Sequence, residues 1–300
     1  MIWTSAIRLI PAWFAPRYAP VLTQISSVTG QAGQWVSAVP LVIILNTRGW
    51  TPAFLTVAAA CVAGLVLDLL FVRDTPPGSP QSRRRPPAVG IAGLREVVSL
   101  PAAQLGFFIH MATAYFQLIF AFMWGFPFLT QGQQLSDAQA GQFFTVYVAS
   151  GIFIGPLMGV LTQRLPDHRT WLALSVGTLT AALWVAVLVW PGQAPAWLLV
   201  PLMVALAACG PASNVAFDIN SSFVPPHRMG TGSGLVIVGG FSAALVAIAV
   251  IGAVLQLVGG SQPGPDAFRI AMATQLVIWL FAVAMVLHSR RKLLAGGERA

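Results

Sequence analysis

Four side chains able to hydrogen-bond or exchange a proton recur along one stretch of the chain: His110, Thr113, Gln117 and Trp124. At the 100° step of an α-helix they fall within about 60° of one another, so they form one stripe. Imidazole changes charge near neutral pH, so His110 could take a proton or hydrogen-bond a polar solute. The plain alternative is a neutral histidine satisfying a neighbouring helix. A second set, Asn214, Asp218 and Ser221, shares one face of another stretch and is backed by the small residues Ala207 and Pro211. Asp218 could carry a proton, or could pair with Arg228 or Arg164 as a latch. Asp68 stands about a turn ahead of Arg73, where a surface-level pair is expected. The chain contains no phosphate-cradling Gly-Lys-Ser/Thr loop, no paired aspartates for a metal–diphosphate, no His-Glu-x-x-His and no Gly-x-Ser-x-Gly. No catalytic residue, metal site or cofactor is therefore assigned, and the chain is not read as an enzyme.

The elements that carry these residues are long and apolar. The apolar runs read 21–45, 51–72, 102–130, 143–163, 170–190, 196–222, 233–258 and 268–288. Each covers about 20 residues or more, the length a helix needs to cross ~30 Å of hydrocarbon. Charged residues make up 8 % of the chain and apolar ones 57 %, whereas a soluble domain carries about 25 % charge. The mean hydropathy is +0.78. A water-exposed surface cannot be built from so few charges, so the fold class is an all-α polytopic membrane protein. Polar groups within such spans are costly, which makes each one above a functional candidate. Cys61 and Cys209 lie inside apolar runs and act as small hydrophobes.

The net charge of +8 comes from arginines that flank the runs. They are not interleaved with aromatics on one surface, which argues against nucleic acid. Basic gaps alternate with neutral ones. Arg17 is followed by 73–101 with Arg73, Arg83, Arg84, Arg85 and Arg95, then by Arg164 and Arg169, Arg228, and a tail with Arg290, Arg291, Lys292 and Arg299. Between them, 131–142 holds only Asp137, 191–195 holds no charge, and 259–267 holds Asp266. Arg48 and Arg269 are the exceptions. The basic side is expected to be cytoplasmic. Residues 74–87, rich in Pro, Ser and Arg, read as a flexible cytoplasmic linker. Its Arg83–Arg85 run serves as an orientation signal or meets anionic lipid headgroups. Residues 1–16 are apolar but reach only ~24 Å as a helix, and they read as the end of a helix that begins further upstream.

Two segments overlay. WFAPRYAP (13–20) leads into a helix with Gly30 and Gly33, and SFVPPHRMG (222–230) leads into one with Gly232, Gly234, Gly239 and Gly240. Each is followed by one more helix with a basic stop, a three-helix unit repeated as in secondary transporters. With GWTPAF (49–54), VRDTP (72–76) and GVLTQRLPDHR (159–169), the chain resembles the major facilitator superfamily. The last run is similar to that family's loop motif, with Gln163 near the place of the usual Asp.

The resemblance implies two helical bundles around a central cavity. The runs would be helices five to twelve, preceded by the end of helix four, and the sequence would be a fragment or start at an internal methionine. Residues 1–73 would belong to the first bundle, 74–100 to the linker and 101–300 to the second bundle and tail. His110, Thr113, Gln117, Trp124, Asn214 and Asp218 become candidates for a substrate or proton pathway. Arg17, Asp68, Arg73, Arg164, Arg169 and Arg228 become gate or structural candidates. Gly151, Gly155, Gly159, Gly234, Gly239 and Gly240 become helix-packing positions. GPASNVAFD (210–218) and PHRMGTGSG (226–234) are similar to bacterial permeases grouped with nitrate porters, but those place an arginine in the helix at 143–162, which has none. The expected function is secondary active transport of a small solute, coupled to protons, by alternating access. The protein would act as a monomer in the plasma membrane, with both ends cytoplasmic. The alternative is a non-transporting membrane scaffold or an inactive remnant.

Overall fold

The computed structural model describes residues 9–10, 12–73, 76, 91–225, 228–261 and 263–296. Every regular element among them is helical. In chain order they are α1 (Ala19–Arg48), α2 (Trp50–Phe71), α3 (Ile91–Ser99), α4 (Pro101–Gly132), α5 (Asp137–Arg164), α6 (Arg169–Val189), α7 (Ala196–Phe223), α8 (Met229–Gly259) and α9 (Pro265–Ala295). Short 3₁₀ turns at Pro16–Tyr18 and Pro166–His168 lead into α1 and α6.

Local chemistry sets the boundaries. Ser136 and Gln139 form a reciprocal capping box at the start of α5, satisfying N–H groups that the first helical turn leaves free. Proline in the first turn opens α1, α4 and α9, where its missing N–H costs nothing. Gly49 and Gly260, at φ of 83° and 61°, close α1 and α8, conformations that only glycine takes easily. Helix α4 turns π-helical at Phe120–Trp124 and Phe128–Gly132, on either side of Pro127.

Seven of these helices, α2 and α4–α9, are long and apolar enough to cross a bilayer. Helix α1, at 30 residues, is about 45 Å long, and is not among those seven. The apolar side chains left outside are large. Leu69 is 76 % exposed, Phe153 76 % and Leu257 85 %. Such a belt is tolerated only in hydrocarbon. The chain is a multi-pass integral membrane protein.

Helices α4 to α9 pack as one group, with α4 against α7, α8 and α9, and α7 against α5 and α6. Its core is built from Tyr115, Phe116, Phe128, Trp184, Leu202 and Phe268. Helix α1 lies against α5 and α7, with α2 beside it. Trp13, from WFAPR, donates its indole N–H to the Arg73 carbonyl at 3.0 Å, tying the start of the chain to the end of α2. Within the expected linker, 77–90 lie outside the described residues, including Arg83–Arg85. The part at 91–99 is a helix rather than loose chain.

Two expectations about charge and packing are corrected. Asp68 and Arg73 make no ion pair: those among the described residues are Arg228–Glu96 and Arg269–Asp266. Five residues at 100° each place the two side chains about 140° apart, and α2 ends at Phe71 in any case. Among the described residues, a Cβ at Gly234 would meet nothing within 4 Å, so no packing contact is seen there.

Candidate functional site

The stripe on α4 is split between neighbours. His110 is 6 % exposed. It sits edge-on to Phe217 of α7, ring centroids 5.6 Å apart, and occupies the space a side chain at Gly240 of α8 would fill. Among the described residues its Nδ1 has no hydrogen-bond partner. Trp124 also meets α8, donating to the Ile248 carbonyl at 3.1 Å. Thr113 is fully buried and returns its hydroxyl to the Ile109 carbonyl at 2.8 Å, with its methyl beside Gly177 of α6. Gln117 fills the gap left by Gly210 of α7 and lies within electrostatic reach of the Tyr147 hydroxyl of α5. The stripe therefore occupies helix–helix seams. Glycine on the facing helix makes room for His110 and Gln117, a fit the sequence does not announce.

The second set gathers where the arginines converge. Asp218 is 5 % exposed and its Oδ2 has no hydrogen-bond partner among the described residues. Its main-chain carbonyl accepts the hydroxyls of Ser221 and Ser222 at 2.9 and 2.8 Å. Arg169 lies near enough to act on its carboxyl through space, without an ion-pair contact among the described residues, and donates to Ser222 Oγ at 3.2 Å and to the Thr162 carbonyl at 3.5 Å. Neither expected partner is used. Arg228 is drawn away to Glu96 of α3 at 2.7 Å, and Arg164 is exposed at the end of α5. Arg169 begins α6 one helix over, which brings it across the ends of α5 and α7 together.

Glu96 and Gln24 were missed by the sequence reading. Helix α3 seats Val97, fully buried, against Val224 and Ala103, and the guanidinium of Arg228 fills the space beside Gly93. Gln24 of α1 is 1 % exposed. It donates to the Pro211 carbonyl at 2.8 Å and accepts from Asn214 Nδ2 at 3.1 Å. Gly159 of α5 leaves the space for it, and Gly151 and Gly155 are buried on the same helix. Gln163, where the loop motif usually has Asp, donates to the Arg17 carbonyl at 2.6 Å, while the Arg17 guanidinium lies 4.7 Å from the Tyr18 ring centroid. The available signal for Gln24 was its place as a polar group inside an apolar run. Gly239 and Gly240 form the α8 seam with α4, against the Phe107 carbonyl and His110.

At the opposite, arginine-poor end, a cleft of about 350 Å³ is lined by Leu135, Gln139, Gln142, Phe143, Gln193 and Leu199 among others. A smaller one of about 150 Å³ beside it includes Gln133, Asp266 and Arg269. Arg269 there holds the carbonyls of Trp190 and Gly192 at 2.8 and 2.7 Å. Among the described residues no three His, Cys, Asp or Glu side chains converge as metal ligands would.

The architecture has a solved counterpart in a bacterial homologue of the human lysosomal transporter Spinster, in an inward-facing, unoccupied conformation. The two superpose with a TM-score of 0.57 at 16 % identity, covering 97 % of this chain and 74 % of that one. At that identity the match speaks for the fold. No curated protein matches the sequence. The family model described as Major Facilitator Superfamily matches residues 1–248. Most of the chain lies within that match, and its helices and charge pattern accord with it: the chain belongs to the major facilitator superfamily of membrane transporters.

Proposed function

We propose that this transporter carries a small solute by secondary active, proton-coupled alternating access, in which two groups of helices rock about a central pathway. The observation that carries the reading is the two buried ionisable groups, His110 and Asp218, each with a ring or carboxyl atom lacking a hydrogen-bond partner among the described residues. Such groups are expensive inside a membrane and are kept where they are used. His110 is assigned to the pathway from the α4–α8 seam, with Trp124 on the same seam, and Thr113, Gln117 and Asn214 are assigned to it from the α6 and α7 sides. Asp218 is assigned to a gate at the arginine-rich end, with Arg169 as its partner in place of Arg228 or Arg164. That end is assigned to the cytoplasm of a bacterial plasma membrane, with the halves divided at 74–100 and the monomer as the working unit.

The test is uptake by purified protein in liposomes across a solute panel, with and without an inward proton gradient. His110→Ala is expected to abolish uptake at unchanged expression. Asp218→Asn is expected to change the dependence on the proton gradient. Gradient-independent uptake, or wild-type flux in both variants, overturns the coupling assignment. A reporter fused at Pro80 or at the C-terminus and found outside the cell overturns the orientation.

A further inference from the structure

We infer that Gln24 is the conformational clasp of this protein, a positioning residue whose two hydrogen bonds set the balance between its alternating states. The inference rests on the alternating-access reading above. Helix α1 is the described helix of the first group that runs along the second, touching α5 and α7. At that contact the side chain of Gln24 leaves its own helix and enters the other group. Its amide is used from both sides: Nε2 donates to the Pro211 carbonyl at 2.8 Å and Oε1 accepts from Asn214 at 3.1 Å. Both side chains are sealed, Gln24 at 1 % and Asn214 at 4 % exposure. The socket is built for it, since a Cβ on Gly159 would stand 3.0 Å from Gln24 Cγ.

The position gives the clasp its direction. Gln24 lies in the second turn of α1, Gly159 in the last turns of α5, and Pro211 and Asn214 in the second half of α7, so the bonds join the two groups on their arginine-rich side. Any state in which those ends part must break both bonds. An unpaired amide in hydrocarbon is unfavourable, so the separated state must wet these groups or re-pair them. The clasp is neutral, which keeps its strength small. Interhelical hydrogen bonds in bilayers contribute about 0.6 kcal/mol each, so two shift an equilibrium about eightfold. That is strong enough to bias a two-state balance and weak enough to release on each cycle.

The experiment uses the full chain with Cys61 and Cys209 replaced by alanine and spin labels on cysteines at Thr47 and Ala138. Both positions are exposed, at the far ends of α1 and α5. Pulsed electron resonance reads the ratio of short to long distances in lipid nanodiscs. Gln24→Met, nearly isosteric, is expected to raise the population with parted arginine-rich ends about eightfold, and Asn214→Leu about threefold. The double variant should shift it no further than Gln24→Met alone, because the same bonds are lost. Two populations whose ratio ignores Gln24, a lower melting temperature with the ratio unchanged, or additive shifts overturn the clasp and leave alternating access standing. One fixed distance in every variant, with or without solute, overturns both.

Discussion

Replacing glycine by alanine at two positions of α8 separates seam from surface within one helix. Gly239 and Gly234 share the same helix and the same intrinsic gain on acquiring a methyl group, up to about 1 kcal/mol. Their surroundings differ. A Cβ at Gly234 meets nothing within 4 Å, whereas at Gly239 it falls well inside van der Waals contact of the Phe107 carbonyl. That carbonyl belongs to the α4 main chain and has no rotamer to escape into. The α4–α8 seam must widen, and overpacking of this kind costs about 1–3 kcal/mol. The propensity term cancels between the two variants, so their difference isolates the seam. Gly239→Ala should be less stable than Gly234→Ala by about 1–3 kcal/mol. Reversible unfolding in mixed detergent–lipid micelles, with a common denaturant slope, measures that difference. Equal stability of the two would refute close backbone approach at Gly239 and with it the seam that buries His110.

The other expectations are smaller. Ser136→Ala removes the α5 capping box and should lower stability by about 1 kcal/mol in the same unfolding assay. Asp68→Asn and Arg73→Gln should show no coupling in a double-mutant cycle, because the two side chains make no pair; a coupling above about 0.5 kcal/mol would contradict the geometry. Glu96→Gln should loosen α3 from Arg228. Glu96 is half exposed in that pair, so the loss should be about 0.5–1 kcal/mol, read as two- to fivefold faster amide exchange across 91–99. Unchanged exchange there would show that Val97 alone holds the strap.

The helices were legible because hydrocarbon imposes a length and a composition that few other environments require. Runs such as 51–72 and 196–222 coincide with α2 and α7 to within a residue or two. Contacts between helices were less legible. Reading the α4 stripe at 100° per residue puts His110 and Trp124 on one side, and in the structure both meet α8. It does not reveal that Thr113 and Gln117 turn toward α6 and α7, which depends on Gly177 and Gly210 leaving space. Asp218 was visible as a buried acid, but its cation was misread. Arg228 is nearer in sequence, and nothing along the chain indicates that Glu96, 132 residues away, already holds it. Gln24 shows the same limit, since its partners lie 187 and 190 residues distant.

These partners sort by charge in a way that bears on motion. The charged contacts stay inside the packed group α4–α9 and its strap: Arg169 with Ser222 beside Asp218, and Arg228 with Glu96. The polar contacts from the α1 side are made by neutral amides, Gln24 to Pro211 and Asn214, and Gln163 to the Arg17 carbonyl. A charge that loses its partner away from water is left harder to satisfy than an amide, whose interhelical bond contributes about 0.6 kcal/mol. Under the alternating access proposed above, charges that rigidify the packed group and amides that bridge it to α1 suit repeated separation and rejoining. The Gln at position 163 fits that division. A carboxylate there would bring a full charge to the bridge, and Gln163→Asp should therefore make the balance between states depend on salt, which the neutral amide does not.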